Sequence, residues 1–181
     1  MKKLTTLVLA LVMVFSLAAC GNKNSGTTSK EDTNKTEKPK TVTIKSFNAN
    51  NEETDLEVPY DAQRIAVMDM AALDILDSLG LGDRVVGSSS TSLDYLQEYV
   101  TNDEIVDLGT IKEADMEAVM SCEPDVIFIG GRLAQSYDAL SEIAPVVYLS
   151  TDTEIGLVKS VEKNAKTIAS MFGVEDDVKD L

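Results

Sequence analysis

Between Arg64 and Leu149 the chain alternates short apolar runs with stretches of helical periodicity, and few folds accommodate that alternation. Arg64-Ile-Ala-Val-Met68, Arg84-Val-Val-Gly87, Glu104-Ile-Val-Asp107, Asp125-Val-Ile-Phe-Ile129 and Val146-Val-Tyr-Leu149 read as strands. The run ending at Ile129 is continuously apolar, as a strand covered on both faces must be. Residues 70–79, 92–100, 112–122 and 133–143 read as the intervening helices, punctuated by Gly80, Pro124 and Pro145. On the third of these, Met116, Val119 and Met120 share an apolar face. A single long helix is predicted over residues 152–172, with Leu157, Val161, Ile168 and Met171 on its apolar face. Strands alternating with helices predict an α/β fold, a doubly wound, Rossmann-like parallel sheet with right-handed connections. Ahead of it, residues 42–47 and 54–58 read as a short β-hairpin, turned at Asn50-Asn51 and ended by Pro59.

The amino terminus carries a different message. Met1-Lys2-Lys3 precedes an unbroken apolar run over residues 7–15 and then Leu17-Ala18-Ala19-Cys20-Gly21. Basic residues, an apolar centre and small residues make a secretory signal segment, too short to be a stable membrane span. Leu-Ala-Ala-Cys-Gly resembles the bacterial lipobox, which implies that Cys20 is acylated and becomes residue 1 of the mature chain. Acyl chains contribute about 0.8 kcal/mol per buried methylene, so several together form a firm anchor. Residues 21–40 contain no Val, Leu, Ile or Met and are expected to form a disordered tether. A long polar tether suits a lipoprotein on the outer face of a Gram-positive cell membrane. The organisation expected is signal peptide 1–19, tether 20–40, lobe 41–151, and long helix with chain end 152–181.

Charge and composition narrow the chemistry. The chain has 16 basic and 31 acidic residues, a net charge of −15 that becomes −17 once Lys2 and Lys3 leave with the signal segment. An acidic surface without a basic stripe argues against nucleic acid and against lying flat on anionic lipid. Histidine is absent, which removes His-ligated metal sites and every triad that uses imidazole as base. There are two cysteines; with Cys20 lipidated no intrachain disulfide is possible, and Cys122 reads as a small buried residue. The G-x-G-x-x-G fingerprint that would follow a first strand is replaced by Met68-Asp-Met-Ala-Ala-Leu73. A non-catalytic binding protein without cofactor is therefore expected.

The ordered set Pro59-Tyr-Asp-Ala-Gln-Arg-Ile-Ala-Val-Met-Asp69, Leu73-Asp-Ile-Leu-Asp-Ser-Leu-Gly80, Leu108-Gly109-Thr110, Asp115-Met-Glu-Ala-Val119, Glu123-Pro-Asp-Val-Ile127, Gly131-Arg132 and Glu142-Ile-Ala-Pro145 resembles the first lobe of the iron–siderophore-binding lipoproteins of ABC importers. The resemblance runs from about Thr41 to the chain end, and Gly-Gly-Arg with Ser-Tyr-Asp looks most like the branch that takes catecholate siderophores such as petrobactin. It implies two lobes joined by a long helix, with a ferric siderophore clamped between them and delivered to permease subunits and their ATPase by a monomeric carrier. Ferric citrate, haem and cobalamin are the alternative ligands of such a fold. Only the first lobe and the helix are recognised here. A fragment, an early-terminated reading frame or a genuine single lobe would each account for that, and Val158, Ile168 and Val174 are then expected to be exposed and sticky.

A ferric tris-catecholate carries about three negative charges, so the cleft of an acidic protein must concentrate cations, and Arg suits best. Arg132 follows a central strand at its carboxyl end and matches a siderophore-contacting arginine of the family; Arg64 and Arg84 lie at strand starts and read as structural. Lys112 is placed to add a second cation, and Gln135 and Tyr137 follow Arg132 closely enough to line the site, Tyr137 by stacking on a catechol ring. Asp69, with Met70, stands at the end of the first parallel strand, where it either caps the next helix or lines the cleft. Glu117 matches the acidic residue with which the family docks on its permease.

Overall fold

The computed structural model describes residues 39–152 and 154–180; the signal segment, Cys20 and nearly all of the tether lie outside the described residues. β1 (Thr41–Phe47) and β2 (Glu53–Pro59) pair antiparallel from Thr41↔Pro59 to Phe47↔Glu53. Asn48 closes their turn, its Oδ1 accepting the N–H groups of Asn50 at 2.9 Å and Glu52 at 3.0 Å. Asn51 takes a left-handed conformation there, which asparagine tolerates better than most residues.

β3 (Ile65–Met68), β4 (Val85–Ser88) and β5 (Val106–Asp107) come next, followed by a small hairpin of β6 (Gly109–Thr110) and β7 (Glu113–Ala114), then β8 (Val126–Ile129) and β9 (Val146–Tyr148). β3, β4, β5, β8 and β9 form one parallel sheet in the spatial order β5-β4-β3-β8-β9. The chain winds outward one way from β3 to β5, then returns to lie beside β3 and winds the other way. The doubly wound α/β fold expected from the sequence is therefore present, with its topological switch between β3 and β8.

Every residue of β3 and β8 is buried. Ile65, Val67, Val126 and Phe128 face a core shared with Ile44 and Val58 of the hairpin, α1 (Met70–Ser78) and the long helix. Ala66, Met68, Ile127 and Ile129 face a second core on the other side of the sheet. Full burial of each large side chain is worth roughly 1.5–3 kcal/mol, so two apolar layers on a five-stranded sheet supply the main driving force. Ser46 ties the hairpin to the sheet: its hydroxyl accepts from Tyr148 N–H at 2.9 Å across β9.

The helices are shorter than the periodicity predicts. Over 92–100 the chain forms a 3-10 turn, Asp94–Leu96, and then α2 (Glu98–Thr101). The preceding Ser/Thr run competes with helix, and Thr91 Oγ1 accepts Leu93 N–H at 3.2 Å instead. Over 112–122 helix starts only at α3 (Met116–Ser121), because Thr110 Oγ1 accepts from Lys112 and Glu113 N–H in the β6–β7 turn and Asp115 caps the helix. Val119 is buried, but Met120 is 62 % exposed rather than on the inner face. Residues 131–136 run as 3-10 turns before α4 (Tyr137–Ser141). The long helix is α5 (Leu157–Phe172), not 152–172. Asp152 Oδ1 accepts Glu154 N–H at 2.8 Å in a local turn, and Gly156 has φ +85°, which a helix cannot continue through. The apolar faces of α5 also divide differently: Ile168 is fully buried and Val174 packs on the core, while Leu157, Val158 and Val161 are the exposed ones. Cys122 is free and buried.

Candidate functional site

In a doubly wound sheet the crevice opens beyond the carboxyl ends of the strands where winding reverses. Asp69 follows β3 there, and Gly130, Gly131 and Arg132 follow β8. Asp69 caps α1, its Oδ1 accepting Ala72 N–H at 2.9 Å. Gly130 allows this: a Cβ at that position would lie 2.3 Å from Asp69 Oδ2. Burial holds the Asp69 carboxyl above its usual range, opposed by the Ala72 and Ala71 N–H groups and by the charge of Arg132. Beside them lies a cavity of about 190 Å³ lined by Asp69, Ala71, Gly131, Ser150, Thr151 and Asn164, among others.

Arg132 is exposed, and among the described residues it makes no hydrogen bond or ion pair. Its guanidinium is thus available to an anion from solvent. Lys112 is exposed in the turn of the β6–β7 hairpin, and β7 packs against the 131–136 segment, so both cations stand on the same part of the molecule. Gln135 is exposed in that segment.

The remaining candidates separate from this group. Tyr137 is half-buried against the second core, and burial raises its hydroxyl pKa, so its ring is largely committed to packing. Met70 packs against the first core, and Ala71 and Ala72 line the cavity in its place. Glu117 is exposed on the first turn of α3, where its N–H is held by Asp115 Oδ1 at 3.0 Å. Ser150, Thr151 and Asn164 were not legible as site residues, although Ser150 and Thr151 follow β9 at the same carboxyl edge that singles out Asp69 and Arg132.

Larger grooves lie elsewhere, with less suitable chemistry. One of about 640 Å³ is lined by Asp77, Asp83, Glu98 and Glu104 around Tyr99, whose hydroxyl donates to Asp77 Oδ1 at 2.6 Å. Burial and that carboxylate push the Tyr99 pKa far up, and four acids would repel an anionic ligand. Among the described residues no group of three or more Cys, Asp or Glu side chains is arranged to hold a metal ion.

Residues 65–181 match the family model described as periplasmic binding protein. The chain is 37% identical over 180 residues to the petrobactin-binding protein YclQ of Bacillus subtilis, covering 99% of this chain and 54% of that protein. The crystal structure of YclQ superposes with a TM-score of 0.69 and 34% identity, over 78% of this chain and 48% of that one. The iron(3+)-hydroxamate-binding protein YxeB of Bacillus subtilis is 31% identical over 183 residues, 99% of this chain and 50% of its own length. The periplasmic catecholate-siderophore binding protein VctP of Vibrio cholerae matches in structure with a TM-score of 0.67 and 28% identity, over 77% of this chain and 48% of that one. The chain thus spans about half the length of the curated relatives it matches.

Proposed function

Since this chain belongs to the periplasmic binding protein family, we propose that it provides one wall of a cleft for an anionic ferric siderophore, of the catecholate class, carried to an ABC permease. The observation that carries this reading is the state of Arg132. The sequence contains three arginines, and Arg64 and Arg84 are consumed by internal partners, whereas Arg132 faces solvent at the switch point. An exposed, permanently charged fork at that position suits the flat, multiply charged face of a tris-catecholate. Lys112 adds charge and Gln135 hydrogen bonds; Tyr137 contributes only the exposed part of its ring, and Met70 supports α1 from the core. No chemistry is performed on the ligand, because the siderophore fills the iron coordination sphere.

In the same reading Cys20 is acylated and residues 20–40 tether the lobe to the outer face of a cell membrane, with Glu117 at the permease. Cys20→Ser should move the protein from the detergent to the aqueous phase in a cloud-point partition of cells making it; retention in detergent would refute the anchor. The ligand assignment is tested by calorimetric titration of the full chain with the ferric complex of a hexadentate tris-catechol chelator. Arg132→Ala should weaken binding about tenfold or more, as loss of a charge-assisted contact does. Unchanged affinity would remove Arg132 from the site.

A further inference from the structure

Asp69 is an acid placed in a cleft read here as the seat of an anion, and its carboxylate is already engaged there. Its Oδ1 is held by Ala72 N–H, and its Oδ2 occupies the space that a Cβ on Gly130 would need. Turning the side chain away would give up the cap of α1. Among the residues lining the 190 Å³ cavity Asp69 alone is ionisable; α5 contributes Asn164 and Ile168, and the loop after β9 contributes Ser150 and Thr151. The other groups that bear on it are Arg132 after β8, the Tyr148 hydroxyl from β9, and the Ala71 and Ala72 N–H groups of α1. The Tyr148 hydroxyl is itself directed to Asn51 Oδ1, at 2.8 Å.

Arg132 is the cation that favours the charged form of Asp69. A chelate that engages Arg132 takes over that counter-charge and brings its own negative potential to the same place. Both effects drive a proton onto the carboxylate that the α1 cap holds at the cavity. We infer that binding of an anionic chelate in this cleft is coupled to protonation of Asp69, which makes this aspartate the residue that sets how affinity varies with pH. The inference rests on the reading of the cleft as an anion site.

The sign follows from linkage. Burial already holds Asp69 above the usual carboxylate range, and bound anion raises it further. Between the free-state and bound-state values one proton is taken up per ligand, so affinity falls as pH rises through that window. Above the window both states are ionised and affinity settles at its lower level; below it both are protonated and affinity is highest.

Asp69→Asn keeps an acceptor oxygen for Ala72 N–H and removes the charge; Asp69→Ser keeps the cap with a shorter side chain. The full chain and both variants are titrated with the ferric complex of a hexadentate tris-catechol chelator from about pH 5 to about pH 8. The difference in log affinity between variant and parent cancels the chelator's own protonation. Expected is binding roughly tenfold tighter in the variants at the alkaline end, with the gap closing on acidification. Equal affinity at every pH, or weaker binding in both variants, with Arg132→Ala still impaired, would overturn the coupling alone. Unchanged affinity in Arg132→Ala as well would overturn the anion-site reading together with it.

Discussion

The two ends of the parallel sheet use the same residue type in opposite ways. At the amino ends, Arg84 pairs with Asp61 at 2.7 Å, donates to the Ala62 carbonyl at 3.0 Å and lies over the Phe172 ring at 5.3 Å. Arg64 there donates through Nε to the Glu123 carbonyl at 2.9 Å, and Asp125 Oδ2 accepts from Gln63 and Arg64 N–H at 2.8 and 2.9 Å. These bonds stitch the starts of β3 and β8 to each other and to the end of α5. At the carboxyl ends Arg132 is left to solvent, and the neighbouring acid is spent on a helix cap. One end is closed by polar bonds and the other is held open. An arginine's availability depends on what the fold has already given it to bind.

The contrast can be broken at either end. Arg84→Ala removes a half-buried ion pair, a carbonyl hydrogen bond and a cation–π contact together. It should cost about 2 kcal/mol, near 6 °C in thermal midpoint by calorimetry. A shift under about 1 °C would mean that the amino end is not held by this residue. Arg132→Ala, expected to weaken binding, should leave unfolding within about 0.5 kcal/mol of the parent, since it removes no internal partner. Marked destabilisation would make Arg132 a structural residue like the other two. Glu117→Gln should alter stability least and leave chelate affinity unchanged, yet slow siderophore-dependent growth of cells that carry it. Normal growth would take Glu117 out of the permease interface.

Much of the fold was legible because both faces of the central strands are covered. Asp125 to Ile129 could hardly be anything but a buried strand, and the spacing of Gly80, Pro124 and Pro145 set the alternation. What failed was helix length, and the cause is local polar competition. Thr91, Thr110, Asp115 and Asp152 capture backbone N–H groups that a continuing helix would need. Ile168 of α5 was expected to be exposed, yet it is fully buried, because the helix packs on the core by its second half while Leu157, Val158 and Val161 in its first half stay exposed. At the site, Arg132 and Asp69 were visible as residues that follow strands. Ser150 and Thr151 share that position but carry no charge to draw notice, and Asn164 reaches the cavity only through the packing of α5.

α5 has one further property that its sequence hides. Ser160 Oγ accepts Asp152 N–H at 2.6 Å, and Asn164 Nδ2 donates to the Ser150 carbonyl at 3.3 Å. Two polar pins thus fasten the helix to the loop that floors the cavity, while Phe172 at its far end lies under Arg84. The two pins flank Thr151, so the side of α5 that bears Ser160 and Asn164 and the segment 150–152 share one set of polar bonds. The exposed Leu157, Val158 and Val161 thus stand on the same stretch of helix that carries the pin at Ser160.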